Sequence, residues 1–175
     1  MVLAVASAPI GTSGTWTARR DDVVQMRIRP ARASDLDEVA SIRQAAIARH
    51  APAAYSELEV AELLRQVEEA GFQGMTDDGW LFVAESHGTL VGTAGWAGGY
   101  LRHVHVRLGF ECRGIGTRLI RHVEAEVERS TRDTEICVNA TRNAETFYAA
   151  CGYERLPVSA SASPLFITMR TQLGR

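Results

Sequence analysis

Apolar and polar positions alternate over residues 26–30, which predicts a short strand, and the period changes to helical immediately afterwards. Leu36, Val39, Ile42 and Ala46 recur on one side of that helix, and Ser34 ahead of Asp35 and Asp37 is a start signal, so the helix is expected to run to about Ala48. Ser56 and Glu59 form a capping box in front of the stripe Val60, Leu63, Leu64 and Val67, and Gly71 marks the end of that second helix. Two β-rich runs, 80–85 and 89–96, meet through His87 and Gly88, so an antiparallel hairpin follows. Residues 101–106 give another strand. A helix from Gly114 to about Glu128 carries the stripe Ile115, Leu119, Ile120, Val123 and Val127, and the apolar run 135–139 comes after it. Strand, helix, strand in that order implies a parallel crossover. Asn143 stands where a cap for a short helix over 144–151 is needed, Gly152 ends that helix, and residues 165–169 supply a last strand, with a further short strand near 154–158. The order βααβββαβαβ predicts one mixed α/β domain over 26–175.

The ends change this picture little. Residues 1–18 carry no charge and are rich in Ala, Ser, Thr and Gly, so 1–25 reads as a flexible leader, and the tract VSASASP at 158–164 reads as an irregular connection. A signal peptide would need a positive start and a longer apolar core than Val2 to Ala6, and no stretch reaches the roughly 18 to 20 apolar residues of a membrane span.

Composition removes several chemistries. The chain of 175 residues has 19 basic side chains, every one an arginine, against 21 acidic ones, for a formal net charge of −2. With no lysine there is no Walker A loop, no Schiff-base lysine and no lysine general base. Near-neutral charge also argues against binding nucleic acid through its phosphates. Three scattered cysteines are too few for a disulfide framework or a four-ligand zinc site, and they suit the reduced thiols of a cytoplasm.

Candidate chemistry concentrates in VHVRLGFECRGIGTRLI, where Gly114 and Gly116 stand between a strand end and a helix start. The first turn of a helix offers unpaired N–H groups and the positive end of its dipole, so the backbone of Arg113, Gly114, Ile115, Gly116 and Thr117 can receive a pyrophosphate without a lysine. Arginines 102, 107, 113, 118 and 121 against the single acid Glu111 give the segment the matching sign. The alternative is that the two glycines only let the helix pack closely on the sheet. A dinucleotide-binding fingerprint fails, because Leu119 occupies the place of its third glycine.

Over roughly 26–170 the chain resembles the GNAT acyltransferase superfamily. The phosphate loop of that family, Arg or Gln, two variable residues, Gly, one variable residue, then Gly or Ala, is matched by Glu111, Cys112, Arg113, Gly114, Ile115 and Gly116, with Glu111 as the departure. In VNATRNAETFYAACGYER, Asn143, Ala144, Phe147, Tyr148, Gly152 and Tyr153 occupy the positions of a second family segment. The runs RIRPARASDLDEV and WLFVAESHGTLVGTAGW also agree with the family. The resemblance implies a central mixed, mostly antiparallel sheet, splayed between its fourth and fifth strands and flanked by helices on both faces. It implies acetyl-CoA as cosubstrate and transfer to an amine, with Asn143 against the pantetheine or phosphate arm and Tyr148 facing the thioester sulfur. The backbone of His105 and Val106 would meet the pantetheine amides. A homodimer is expected from the fold by analogy alone.

Acyl transfer to an amine needs a neutral nucleophile and a proton for the leaving thiolate. A phenol of pKa about 10 can donate to a thiolate of pKa about 8.5, which makes Tyr148 the candidate acid by its family position. His103 and His105 lie two apart on one strand, so they share a face, and either is a candidate base or merely wall. A His-x-His pair without a third ligand is a weak metal signal, and no metal is expected. Glu85 and Glu135 are alternative carboxylate bases. Tyr55 can cover an acceptor amine or serve as the hydrophobic staple before Ser56. Trp80 and Trp96 read as packing residues and Cys137 as a core residue. The acceptor stays open between a small-molecule amine and a peptide amine. The competing function is a non-catalytic module that binds CoA or an acyl-CoA as a sensor.

Overall fold

The computed structural model describes residues 26–68, 71–157 and 163–174. The leader 1–25 and most of the serine-rich tract therefore lie outside the described residues, as does the Val67 side chain.

Seven strands form one sheet in the order β1-β2-β3-β4-β5-β7-β6. Strand β1 (Arg27–Pro30) pairs antiparallel with β2 (Leu81–Ser86), which turns into β3 (Thr89–Ala97), and β4 (Tyr100–Val106) returns along β3. The β2–β3 turn is made by His87 (φ 49°) and Gly88 (φ 76°), the two left-handed residues that a two-residue hairpin needs. Strand β5 (Glu135–Thr141) runs parallel to β4, while β7 (Phe166–Gln172) and the two-residue β6 (Glu154–Arg155) complete the far side antiparallel. The sheet is thus mixed and mostly antiparallel.

Helices cover both faces. On one face Ile115, Leu119, Ile120, Val123 and Val127 of α4 (Ile115–Ser130) pack with Leu101, Val104, Ile136 and Val138, and Tyr148 of α5 (Glu145–Ala150) joins the same core. On the other, Val39 and Ile42 of α1 (Leu36–His50) and Phe72 of α3 (Phe72–Asp77) pack on Leu81, Val83 and Leu90. Helix α2 (Glu57–Glu68) encloses a smaller cluster in which Leu63 meets Ile47, Tyr55 and Leu165.

Three local expectations are corrected. Ser34 does not cap α1. It lies inside a short 3₁₀ turn, and the Asp35 carboxylate instead accepts the Arg32 N–H (2.7 Å) and the Arg29 guanidinium (2.7 Å), because a carboxylate in that turn answers orphan donors more strongly than a hydroxyl. Asn143 does not cap α5 either. The backbone makes a 3₁₀ turn at Arg142–Ala144, Ala144 is the N-cap, and the Asn143 amide donates to the His50 carbonyl (3.2 Å). Gly71 opens α3, a helix the sequence pattern did not announce, rather than only closing α2. The Ser56–Glu59 box forms as expected, with the Glu59 carboxylate accepting the Ser56 N–H at 2.9 Å.

The sheet comes apart between β4 and β5. Strands β4 and β5 are in register only at Tyr100 with Cys137 and Leu101 with Val138, so beyond Leu101 the two parallel strands diverge. Within β4, His103 has φ 50° and the register against β3 slips between Thr93 and Gly95, which is a β-bulge. Such a bulge bends the strand and strengthens its twist, and here it falls where β4 leaves β5.

Candidate active site

Helix α4 starts beside this splay. Gly114 is its N-cap, left-handed at φ 76°, and no side chain caps the helix, so the N–H groups of the first turn, Ile115, Gly116 and Thr117, point out of its end. The two glycines serve different needs. A Cβ built on Gly114 meets nothing within 4 Å, so glycine is required there by φ alone. A Cβ on Gly116 would stand 3.0 Å from Phe147 Cζ, so Gly116 is the point where α5 packs on α4. The close-packing alternative therefore holds for Gly116, and Gly114 shapes the turn that opens the helix.

The loop before the helix is self-stapled. Glu111, the departure from the expected motif, turns back: its carboxylate accepts the Gly109 N–H at 2.6 Å and lies 3.4 Å from His50 Nε2. Arg113 donates to the Gly109 carbonyl at 2.7 Å and stacks over the Phe110 ring at 4.9 Å. Cys112 is exposed and left-handed at φ 58°.

Helix α5 follows the end of β5 and carries Tyr148, which is fully buried between Phe147 and Tyr153, with ring centroids 5.4 Å away on each side. Its hydroxyl has no hydrogen-bond partner, and burial holds the phenol pKa well above its ordinary range, so the proton stays on Oη. Asn143 Oδ1 is likewise buried and unpartnered. Buried polar atoms are nearly always satisfied, so these two orphans stand out.

A second group of orphans lies on the α1 face of β4. His105 is fully buried with both ring nitrogens unpartnered, and Thr93, its partner across β3, has an unpartnered buried hydroxyl. His103 packs edge-on to Phe72 at 4.8 Å, and its Nδ1 has no partner. Burial first, then the nearby Arg43 and Arg102 charges, pushes the His103 pKa down to about 2, and burial pushes His105 down as well. The two imidazoles do share a face, and they sit there as neutral rings. Both also feel Arg43 of α1, which the sequence reading did not single out. The signal was present: position 43 lies four residues from both Val39 and Ile47, on the buried stripe of its helix.

The remaining candidates are committed elsewhere. The Tyr55 hydroxyl donates to the Leu165 carbonyl (2.6 Å) and accepts the Arg142 N–H (2.7 Å), while its ring lies under the Arg142 guanidinium at 4.5 Å. Its hydroxyl is thus satisfied within the fold, and Tyr55 pins the loop between α1 and α2 to the end of β5. Glu85 pairs with Arg29 (2.9 Å), and Glu135 accepts from Arg170 and Gln172 (3.1 and 3.2 Å). Trp80 and Trp96 stack on each other at 4.7 Å over the core. Cys137 is half-buried rather than a full core residue, since it alternates with Ile136 and Val138 on β5. Among the described residues no group of three His, Cys, Asp or Glu side chains could hold a metal ion, and no helix is long and apolar enough to cross a membrane.

The family profile described as an acetyltransferase (GNAT) domain matches residues 51–172. The chain belongs to the GNAT acetyltransferase family. A crystal structure of a GCN5-related N-acetyltransferase from Rhodopseudomonas palustris is 25% identical, with a TM-score of 0.71 over 84% of this chain and 95% of that one. PaiA N-acetyltransferase from Thermoplasma acidophilum, solved in complex with coenzyme A, is 14% identical with a TM-score of 0.69, over 84% of this chain and 98% of that one. YncA of Salmonella typhimurium, a putative acetyltransferase solved with acetyl-CoA, is 18% identical with a TM-score of 0.60, over 86% and 95%. No curated protein matches the chain. As a GNAT domain the molecule is a mixed α/β acetyltransferase fold, and the splay, the α4 start and α5 are its candidate active site.

Proposed function

We propose that this GNAT domain is an N-acetyltransferase that moves an acetyl group from acetyl-CoA directly to the amine of a small molecule or peptide. Acetyl-CoA supplies an acetyl group activated as a thioester. The residues present fit it. The open first turn of α4, from Arg113 through Thr117, offers backbone donors and a dipole to a pyrophosphate, and Gly114 gives the turn its shape. Past Leu101, β4 and β5 no longer pair, so the main chain of Val106, which alternates away from β3, is available to amide groups, while that of His105 faces Thr93 on β3. Asn143 Oδ1, buried without a partner, is an acceptor beside the same cleft.

The observation that carries the reading is the fully buried, unpartnered Tyr148 hydroxyl on α5. Its proton is held at Oη across the working pH range, so Tyr148 is a standing donor for a leaving thiolate. The acceptor amine must reach the cleft neutral. The buried rings of His103 and His105 are too weakly basic to take a proton from an ammonium, so we assign them to the wall of the acceptor side, and deprotonation falls to solvent. The sensor alternative rests on Glu111 in the family's Arg or Gln position and on the lack of an evident base; the Glu111 carboxylate accepts the Gly109 N–H and lies 3.4 Å from His50 Nε2.

Tyr148→Phe tests this assignment. Turnover measured by thiol release should fall at least tenfold, while the thermal shift produced by acetyl-CoA stays within a degree or two of wild type. Unchanged turnover would remove Tyr148 as the acid. A wild-type protein shifted by acetyl-CoA but silent over a broad amine panel would favour the sensor.

A further inference from the structure

Among the described residues one buried charge has no counter-charge. Arg43 is only 4% exposed, and its Nε and Nη1 are buried with no hydrogen-bond partner. Its contact is with an aromatic face: the guanidinium carbon lies 5.8 Å from the centroid of the Phe72 ring. Arginine–carboxylate pairs such as Arg29 with Asp35 or Arg142 with Glu59 are formed nearer the surface, and among the described residues no carboxylate reaches Arg43. An unpaired buried ion is costly, and a protein retains one where a ligand completes it.

The surroundings say which ligand. Phe72 links Arg43 to His103 through an edge-on contact at 4.8 Å, and His103, His105 and Thr93 add unpartnered buried atoms on the same face of β4. Those histidines are neutral, so they supply dipoles rather than further positive charge. A guanidinium presents a planar fork that a carboxylate fills with two parallel hydrogen bonds and one compensating charge. A phosphate dianion would bring two charges to one buried cation. The cluster flanks β4 just where that strand leaves β5.

Resting on the reading of this cleft as an acetyltransferase site, we propose that Arg43 binds the carboxylate of the acceptor, so the acceptor is an amine that also carries an acid, as amino acids do. Arg43 then sets specificity rather than chemistry: it fixes one end of the acceptor so that the amine points at the splay.

The test compares matched probes. The standard α-amino acids, β-alanine and γ-aminobutyrate are assayed beside their carboxamides, with O-phosphoethanolamine as a separate arm, by thiol release from acetyl-CoA. The expected result is at least one free acid whose kcat/KM exceeds that of its amide more than tenfold. Arg43→Gln should remove that preference by raising KM for the acid with kcat little changed, and Arg43→Lys should restore part of it. Turnover of amines with no preference for the acid overturns the carboxylate assignment and leaves the acetyltransferase reading standing. A preference for O-phosphoethanolamine overturns it too. No turnover of any amine, together with no thermal shift by acetyl-CoA, overturns both. If Arg43→Gln does not fold, the acid-against-amide ratio of the wild type decides alone.

Discussion

The two histidines of β4 show what a low-dielectric site does to a residue that ordinarily titrates near neutrality. In the folded protein His103 binds a proton only near pH 2 and His105 well below its ordinary value, whereas in the unfolded chain both bind one near pH 6.5. The unfolded state therefore takes up more protons once the pH falls below about 6.5, and stability is complete above that value and lost as pH drops toward 2. Each histidine contributes a slope on the order of 1 kcal/mol per pH unit at the steep part. The thermal midpoint should fall steadily between pH 6.5 and 4.5, and His103→Gln should flatten that fall. Asp35 and Glu59, held low by Arg29 and Arg142, add acid lability of the same sign at lower pH, so an unflattened profile in the His103 variant would assign the whole effect to carboxylates. The same burial predicts that kcat/KM rises with pH up to the pKa of the acceptor amine and shows no inflection from a histidine near pH 6.5.

At the scale of elements, the start of α4 packs on α5 where Gly116 meets the Phe147 ring, and the effects of Gly114 and Gly116 separate by experiment. Gly116→Ala places a Cβ 3.0 Å from Phe147 Cζ, which should cost about 1 to 2 kcal/mol, and Phe147→Leu in the same chain should recover part of it. Gly114→Ala has open space but must hold φ 76°, a cost of about 1 kcal/mol that Phe147→Leu should not touch and that Gly114→Asn should lessen. Denaturant midpoints of the five variants check this, and rescue of Gly114→Ala by Phe147→Leu would refute the separation. These pairs also show what the sequence made legible. Long periodic elements such as α1 and α4, and the His87–Gly88 hairpin, follow from local pattern because period and turn chemistry are local properties. Helix α3 was not legible, since six residues containing Gly74 and Thr76 offer no period, and it forms because Phe72 has a place against the sheet. The β4 bulge was equally hidden, for His103 adopts its left-handed backbone only in register with β3. The helix start at Gly114 and the short helix that carries Tyr148 were legible in the pattern, while the roles expected of them rest on the resemblance. Arg43 was not, because an arginine on a helix is ordinarily a solvated charge.

Across the whole molecule, the sheet behaves as two plates joined at a narrow contact. The antiparallel plate β1-β2-β3-β4 and the plate β5-β7-β6 share main-chain pairing only near Tyr100 and Leu101, and the helices α4 and α5 are wedged against the gap from one face. Register along β3 sets which amides look into the gap. Arg107 N–H donates to the Val91 carbonyl at 3.0 Å, and Thr93 stands opposite His105, so by strand alternation the Val106 N–H points away from β3 toward the opening. If acetyl-CoA closes the gap by pairing with β4, hydrogen exchange at Val106 should slow at least tenfold when it is added. Exchange of the β2–β3 ladder amides, already paired, should change little. The first turn of α4 should gain protection in parallel, since its N–H groups meet the pyrophosphate. Protection confined to α4 would mean that the phosphates bind while the pantetheine does not enter the splay. Protection at Val106 and α4 together, kept in Tyr148→Phe, would show that the two plates are bridged by the cosubstrate and that the tyrosine acts on the chemistry alone.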